Sequence, residues 1–211
     1  MANSWSDPDH SHRYLARAAD LPHREEGEFV LLDDLRDVLP GRVLDLGCGD
    51  GRLAALVLDA YPGSTAVCVD FSDTMLVAAA ARFGDSVGVE IVRHDLSEPL
   101  PSTGPFDRPF DAVVSSLAIH HMTDDRKPEL DREVADLLRD GGVFANLDVV
   151  ASPTPKLHAR WRDDMGVSDD QSDVLRDVVS QLQWLSDAGF EDVDCIWKWR
   201  SVALMRGQRR G

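Results

Sequence analysis

The sequence is poor in several features that would otherwise direct its reading. It has only three cysteines, Cys48, Cys68 and Cys195. That is an odd number with no metal-ligand spacing, so reduced thiols are expected and neither a disulfide framework nor a bound metal. No apolar run approaches the ~18 residues of a membrane span. Residues 1–12 are polar and acidic and lack the apolar stretch of a secretory leader, so a cytoplasmic location is expected. There are no repeats and no low-complexity tracts. Basic residues are scarce: 22 Lys and Arg against 38 Asp and Glu leave a net charge of −16. Such a surface repels phosphate backbones and anionic lipid, which argues against nucleic acid and membranes as partners. The exception is a late basic run, Lys198, Arg200, Arg206, Arg209 and Arg210, which reads as a solvated tail.

What remains is a globular composition, 43% hydrophobic and 28% charged. A chain of 211 residues buries about 70% of its unfolded surface and can build a core without staples. Helices are expected up to Pro40: a short one over Arg13–Leu21, then an amphipathic one carrying Glu28, Phe29, Val30, Leu31, Leu32, Leu35, Val38 and Leu39. A β/α alternation follows. Strands are expected at Arg42–Leu46, Thr65–Val69, Val87–Arg93, Phe110–Ser116 and Val143–Val150. Helices are expected over Arg52–Tyr61, from a Ser72 cap to Gly84, and over Thr123–Arg139. This spacing implies a parallel sheet with helices on both faces. Later, a helical stripe runs from Val174 to Leu185. The runs Val193–Trp199 and Val202–Met205 are too close for a parallel crossover and must pair as an antiparallel hairpin.

The first strand leads into Asp45-Leu46-Gly47-Cys48-Gly49-Asp50-Gly51. In a doubly wound sheet, ligands bind beyond the carboxyl ends of the strands. Dinucleotide sites use G-x-G-x-x-G with a pyrophosphate on the helix N-terminus. Here the third glycine comes one place early, and Asp45 and Asp50 flank the turn. Carboxylates repel a pyrophosphate. They suit a ligand bearing an ammonium and a sulfonium, as S-adenosyl-L-methionine does. Asp70, at the end of the second strand, can accept from ribose hydroxyls, and Asp95, at the end of the third, can face an adenine amino group.

In these segments the sequence resembles the class I S-adenosylmethionine-dependent methyltransferases. The matching pieces are VLDLGCGDGRL (43–53), VCVDFSDTML (67–76), RHDL (93–96), FDAVVSSLAIHHM (110–122) and LLRDGGVFANLDVV (137–150). The resemblance implies a Rossmann-like sheet of seven strands in the order 3-2-1-4-5-7-6, with the last strand antiparallel. It implies that Asp45, Gly47, Cys48 and Gly49 hold the methionine part of the cofactor, and Asp70 with Phe71 the ribose. Met75, Asp95 and Leu96 would line the adenine, and Ser115 would lie near the methionine moiety. Residues 1–40 would cover the cofactor site of a methyltransferase domain spanning 41–211.

His120 and His121 follow the fourth strand at the reactive end, where an imidazole can serve as general base. Arg13, Tyr14 and Arg24 are candidate contacts for the cofactor carboxylate. Trp161, Trp184, Trp197 and Trp199 could wall an acceptor pocket, form a homodimer face or pack the core. The expected partner is a small-molecule methyl acceptor, methylated on oxygen or nitrogen. A tRNA-modifying methyltransferase, a non-catalytic adenosylmethionine-binding protein and a nicotinamide dehydrogenase are the rival readings.

Overall fold

The computed structural model describes residues 7–9, 21–166 and 172–211. All but the last residue of the helix expected over Arg13–Leu21 lies outside the described residues, as do Arg13 and Tyr14 themselves.

The first long helix, α1 (Arg24–Asp34), ends in a short 3-10 turn at Leu35–Asp37. Then come β1 (Arg42–Leu46), α2 (Arg52–Ala60), β2 (Thr65–Asp70), α3 (Asp73–Phe83), β3 (Val89–Arg93) and β4 (Phe110–Ser116). The second half comprises α4 (Arg126–Leu137), β5 (Leu138–Val149), α5 (Pro155–Met165), α6 (Val178–Asp187), β6 (Phe190–Trp199) and β7 (Val202–Arg209). One seven-stranded sheet runs β3-β2-β1-β4-β5-β7-β6, the expected order. β7 lies antiparallel between β5 and β6.

β1 shows why the sheet is covered on both faces. Its side chains alternate, so Val43 enters the core under α1 and α2, while Leu44 and Leu46 enter the core under α4 and α6. All three are fully buried, each contributing about 1.5–3 kcal/mol. β1 pairs with β2 on one side and β4 on the other. The winding direction reverses there, and a crevice opens beyond the strand ends.

Several expected boundaries move. The helix expected to reach Arg139 stops at Leu137, and β5 begins at Leu138, because Leu138 already pairs with Phe110 across a register shift. β3 starts at Val89; Val87 is fully exposed and Gly88 turns the chain. The stripe from Val174 becomes helical only at Val178, where Asp177 caps α6 by accepting from the Ser180 amide at 2.9 Å. Ser72 occupies the N-cap of α3 without a capping hydrogen bond from its side chain. Phe29 is 68% exposed, because α1 turns Gly27, Glu28 and Leu31 inward instead.

The basic tail is not a tail. Arg206 and Arg209 belong to β7, and Arg206 reaches Asp34 at 3.1 Å. The tryptophans pack inward: Trp161, Trp197 and Trp199 share the core under α1, and Arg176 lies over the Trp184 ring. Trp161 is buried, Trp197 and Trp199 are partly buried against the same core, and Trp184 lines a small second pocket. Among the described residues, no helix is long and apolar enough to cross a membrane.

Candidate functional site

The crevice is a cavity of about 540 Å³ at the carboxyl ends of β1, β2, β3 and β4. Its floor is the turn between β1 and α2. Gly47 (φ 65°) and Gly51 (φ 76°) adopt left-handed conformations. A Cβ on Gly47 would lie 2.3 Å from Ala118 Cβ, and one on Gly51 2.4 Å from the Phe83 ring, so both positions require glycine. The Cys48 amide donates to Val69 O at 2.9 Å and ties the turn to β2. A hydrogen bond with the neighbouring Cys68 thiol, and then burial, push the Cys48 thiol up, so it stays protonated and serves as a small lining group.

Asp45 lines the cavity yet is only 1% exposed. One oxygen, Oδ2, accepts from the Ala54 amide at 3.0 Å and pins the start of α2. The other, Oδ1, is buried without a hydrogen-bond partner. Desolvation raises its pKa to about 7, against the Ala54 hydrogen bond and with help from Asp70.

Asp70 ends β2 and accepts from two amides, Gly49 through Oδ2 and Ser72 through Oδ1, both at 2.9 Å. Burial raises its pKa, and these bonds oppose the rise. It therefore shapes the glycine turn as well as lining the cavity. Asp95, beyond β3, lines the opposite wall with Leu96, and its Oδ1 accepts from the Ser97 amide at 2.9 Å. Phe71 and the buried Met75 lie between them on the lining.

Two expected residues fall elsewhere. Ser115 is fully buried and donates to Leu46 O at 2.8 Å, holding β4 to β1; Ser116, Leu117 and Ala118 line the cavity in its place. The period of two in β4 turns Ser115 away. His121 lines the cavity but His120 does not. His120 is buried behind it, with Nδ1 2.5 Å from Asp148 Oδ1. Burial alone would lower the His120 pKa; the Asp148 charge and hydrogen bond outweigh it and raise the value. Asp50 is neutralised by an ion pair with Arg82.

The pair of arginines on the cavity wall was less legible in the sequence. Arg24, a candidate from the start, lines the cavity together with Arg52. Both grip the buried Glu28: Arg24 Nε at 2.8 Å, and Arg52 through Nε and Nη2 at 2.9 and 2.8 Å. Two guanidinium groups converge on this carboxylate, and Arg52 also lies 3.9 Å from Glu25. Arg52 occupies the place where dinucleotide sites want glycine, and that was the available signal. Arg126 also lines the cavity. It is held by Glu133 (2.6 Å) and by the carbonyls of Leu96 and Glu98 (2.9 Å each), and it fixes the loop after β3.

The fold places a cavity lined by the carboxylates of Asp45, Asp70 and Asp95 at the strand ends of a doubly wound sheet. Residues 44–144 match the family model described as a methyltransferase domain. A release factor glutamine methyltransferase from Gloeobacter violaceus is 40% identical over 98 residues, covering 45% of this chain and 32% of that protein. A trans-aconitate 2-methyltransferase from Mycolicibacterium gilvum is 29% identical over 201 residues, covering 89% of this chain and 71% of that one. Human N-acetylserotonin methyltransferase, solved in complex with SAM, superposes with a TM-score of 0.72 at 17% identity, over 99% of this chain and 58% of that one. The chain spans 32% to 59% of the length of the curated relatives that match at 38% identity or more. The chain thus carries a methyltransferase domain over residues 44–144 and shares its fold with a methyltransferase solved with SAM.

Proposed function

We propose that this chain transfers a methyl group from S-adenosylmethionine to an oxygen or nitrogen of a small-molecule acceptor. The observation that carries the reading is Asp45, a residue of the cavity lining whose Oδ1 is buried without a hydrogen-bond partner. A bare carboxylate oxygen in that position calls for a cationic donor, which the cofactor ammonium provides. The other residues fit the same group. Asp70 can accept from the ribose hydroxyls while holding the turn. Met75 and Leu96 offer apolar contact and Asp95 an acceptor for an adenine. Arg24 and Arg52, both on the lining, offer guanidinium donors to a carboxylate.

When bound, the cofactor supplies a methyl group already activated on a sulfonium. The protein's own work is then positioning and the exclusion of water. The β1 turn and Asp70 fix one end, and Ala118, Leu117 and Met122 give the other end apolar walls. His121 is the lining residue suited to take a proton from a hydroxyl or ammonium acceptor. Residues 21–40 support that site through Arg24 and Glu28, so we read the N-terminal region as a cover on the 41–211 domain.

A small acceptor accords with the size of the cavity, which is in the ~300–1,000 Å³ range of ligand pockets. It also accords with the net charge of −16. The tRNA reading leaned on the basic run, and Arg206 and Arg210 are paired with Asp34 and Glu191. Three free thiols are in keeping with a cytoplasmic location.

The test is methyl transfer from labelled cofactor to a panel of small carboxylic acids, phenols and amines, with tRNA as a parallel arm. Label is expected in the small-molecule fraction. Label in tRNA alone, or a thermal shift with NAD and none with S-adenosylmethionine, would overturn the reading.

A further inference from the structure

We propose that His120, His121 and Asp173 form a site for one divalent transition-metal ion of the zinc class behind the cavity wall that His121 lines. Three donor atoms converge there, His120 Nε2, His121 Nδ1 and an Asp173 carboxylate oxygen, all within 4.8 Å of one another. Asp173 Oδ1 is 3.6 Å from His120 Nε2 and 3.4 Å from His121 Nδ1. Hydrogen bonds from nitrogen to oxygen run ~2.7–3.2 Å, and charge-assisted ones are shorter still. Both separations exceed that range. They match the edge of a zinc tetrahedron, in which donors ~2.1 Å from the metal lie about 3.4 Å apart.

The surroundings are those of a ligating histidine. His120 Nδ1 lies 2.5 Å from Asp148 Oδ1, and Asp148 is fully buried. An ionised carboxylate only accepts, so Nδ1 carries a proton, and Nε2, facing Asp173, is the nitrogen left to take a second proton or a metal ion. A carboxylate behind the imidazole is the arrangement that orients metal-bound histidines and raises their basicity. Two electron-rich atoms facing each other at 3.6 Å call for a cation between them, either a proton or a metal ion. A proton would draw His120 and Asp173 together into a short bond. A metal accounts for the longer spacing and for the convergence of His121 on the same oxygen. Two groups work against the metal. Ser172 Oγ lies 3.1 Å from His121 Nδ1 and competes for it, and the Lys127 ammonium, bonded to Val174 O, adds positive charge nearby.

Local structure assembles the set. Both histidines sit on the 3-10 turn Ile119–His121 after β4, with ring centroids 3.9 Å apart. The extended residues 173–177 are anchored by the Val174 amide donating to His120 O at 2.9 Å, which brings Asp173 alongside. Two histidines and one carboxylate suit zinc and its neighbours in the first transition row and leave a coordination position open. A metal on His121 Nδ1 and a role for that imidazole as the base of the methyl-transfer reading exclude each other; the metal binding does not rest on that reading.

The experiment uses the full chain, free of any histidine tag and dialysed against EDTA. Cobalt(II) is titrated in and followed by its visible absorption, and zinc binding is measured by calorimetry. One ion per chain with a tetrahedral cobalt spectrum is expected. His121→Gln and Asp173→Asn should each weaken binding at least tenfold, and Asp148→Asn about 10–100-fold. His158→Gln, on α5, should leave it unchanged. Thermal melts confirm that each variant is folded, and Asp173→Asn serves if His121→Gln is not. Titration with S-adenosylmethionine on the same samples reports separately on the cofactor. Absence of cobalt binding, or binding indifferent to all three cluster substitutions, would overturn the metal site and leave His120 as an imidazolium between two carboxylates.

Discussion

Asp45→Asn separates what this carboxylate costs the empty fold from what it does for a ligand. Its pKa is 3.8 in an open chain and about 7 in the fold. Between those values the folded state binds the extra proton, so stability falls as pH rises through that window, and above about 7 the penalty is complete. The gap is worth roughly 4 kcal/mol at ~1.4 kcal/mol per pH unit. That is an upper bound, because the cavity beside Asp45 admits water and softens the desolvation. Asn keeps an acceptor for the Ala54 amide and cannot ionise. The apo variant should therefore be more stable than the parent at alkaline pH and converge with it in acid, as read by urea unfolding. Cofactor binding should show the inverse. An ammonium against Oδ1 favours the ionised form, so below about pH 7 binding must expel a proton. The dissociation constant of S-adenosylmethionine, measured by calorimetry, should then fall close to tenfold for each pH unit as pH rises toward about 7, and level off beyond. In Asp45→Asn the affinity should be weaker and the slope reduced to whatever Asp70 contributes. A parent profile flat from pH ~5 to 8, where a raised carboxylate must titrate, would refute the reasoning.

Other perturbations have equally definite outcomes. Asp70→Ala strands the Gly49 and Ser72 amides. It should cost about 2 kcal/mol of stability and weaken the cofactor at least ~100-fold; unchanged affinity by calorimetry would remove the ribose role. His121→Ala should slow turnover more at neutral than at alkaline pH, and equal slowing at both would exclude a part in proton removal. Gly51→Ala drives a methyl to within 2.4 Å of the Phe83 ring at φ 76°. It should destabilise by roughly 2–4 kcal/mol in thermal or denaturant unfolding, and a neutral result would mean that the turn relaxes freely.

Much of this was legible in one dimension because the determining patterns are local. The apolar pentads of β1 and β2, the glycines after β1 and the punctuation at Pro62-Gly63 and Gly84 fix strand, turn and helix without reference to distant residues. A two-residue link between β6 and β7 excludes a parallel pair by length alone. The acids at the strand ends are legible for the same reason: Asp45, Asp70 and Asp95 each stand at the end of a readable strand. Boundaries were less secure where tertiary pairing overrode a local signal. Leu138 joins β5 because Phe110 pairs with it, and the helical stripe at Val174 yields to an extended lead held by His120.

The sequence by itself determined the strands, their parallel winding, the terminal hairpin and the acids at the strand ends, since period, spacing and glycine act over a few residues; the strand order came from the family resemblance. Only the tertiary structure decided which of two adjacent histidines meets the cavity, that Ser115 turns away, and that Arg24 and Arg52 share Glu28. It also decided that Asp173 arrives beside a histidine pair 52 positions earlier in the chain. Such neighbours are set by how helices and loops pack over the strand ends. That packing is a sum of contacts between residues far apart in sequence, and no local pattern records it.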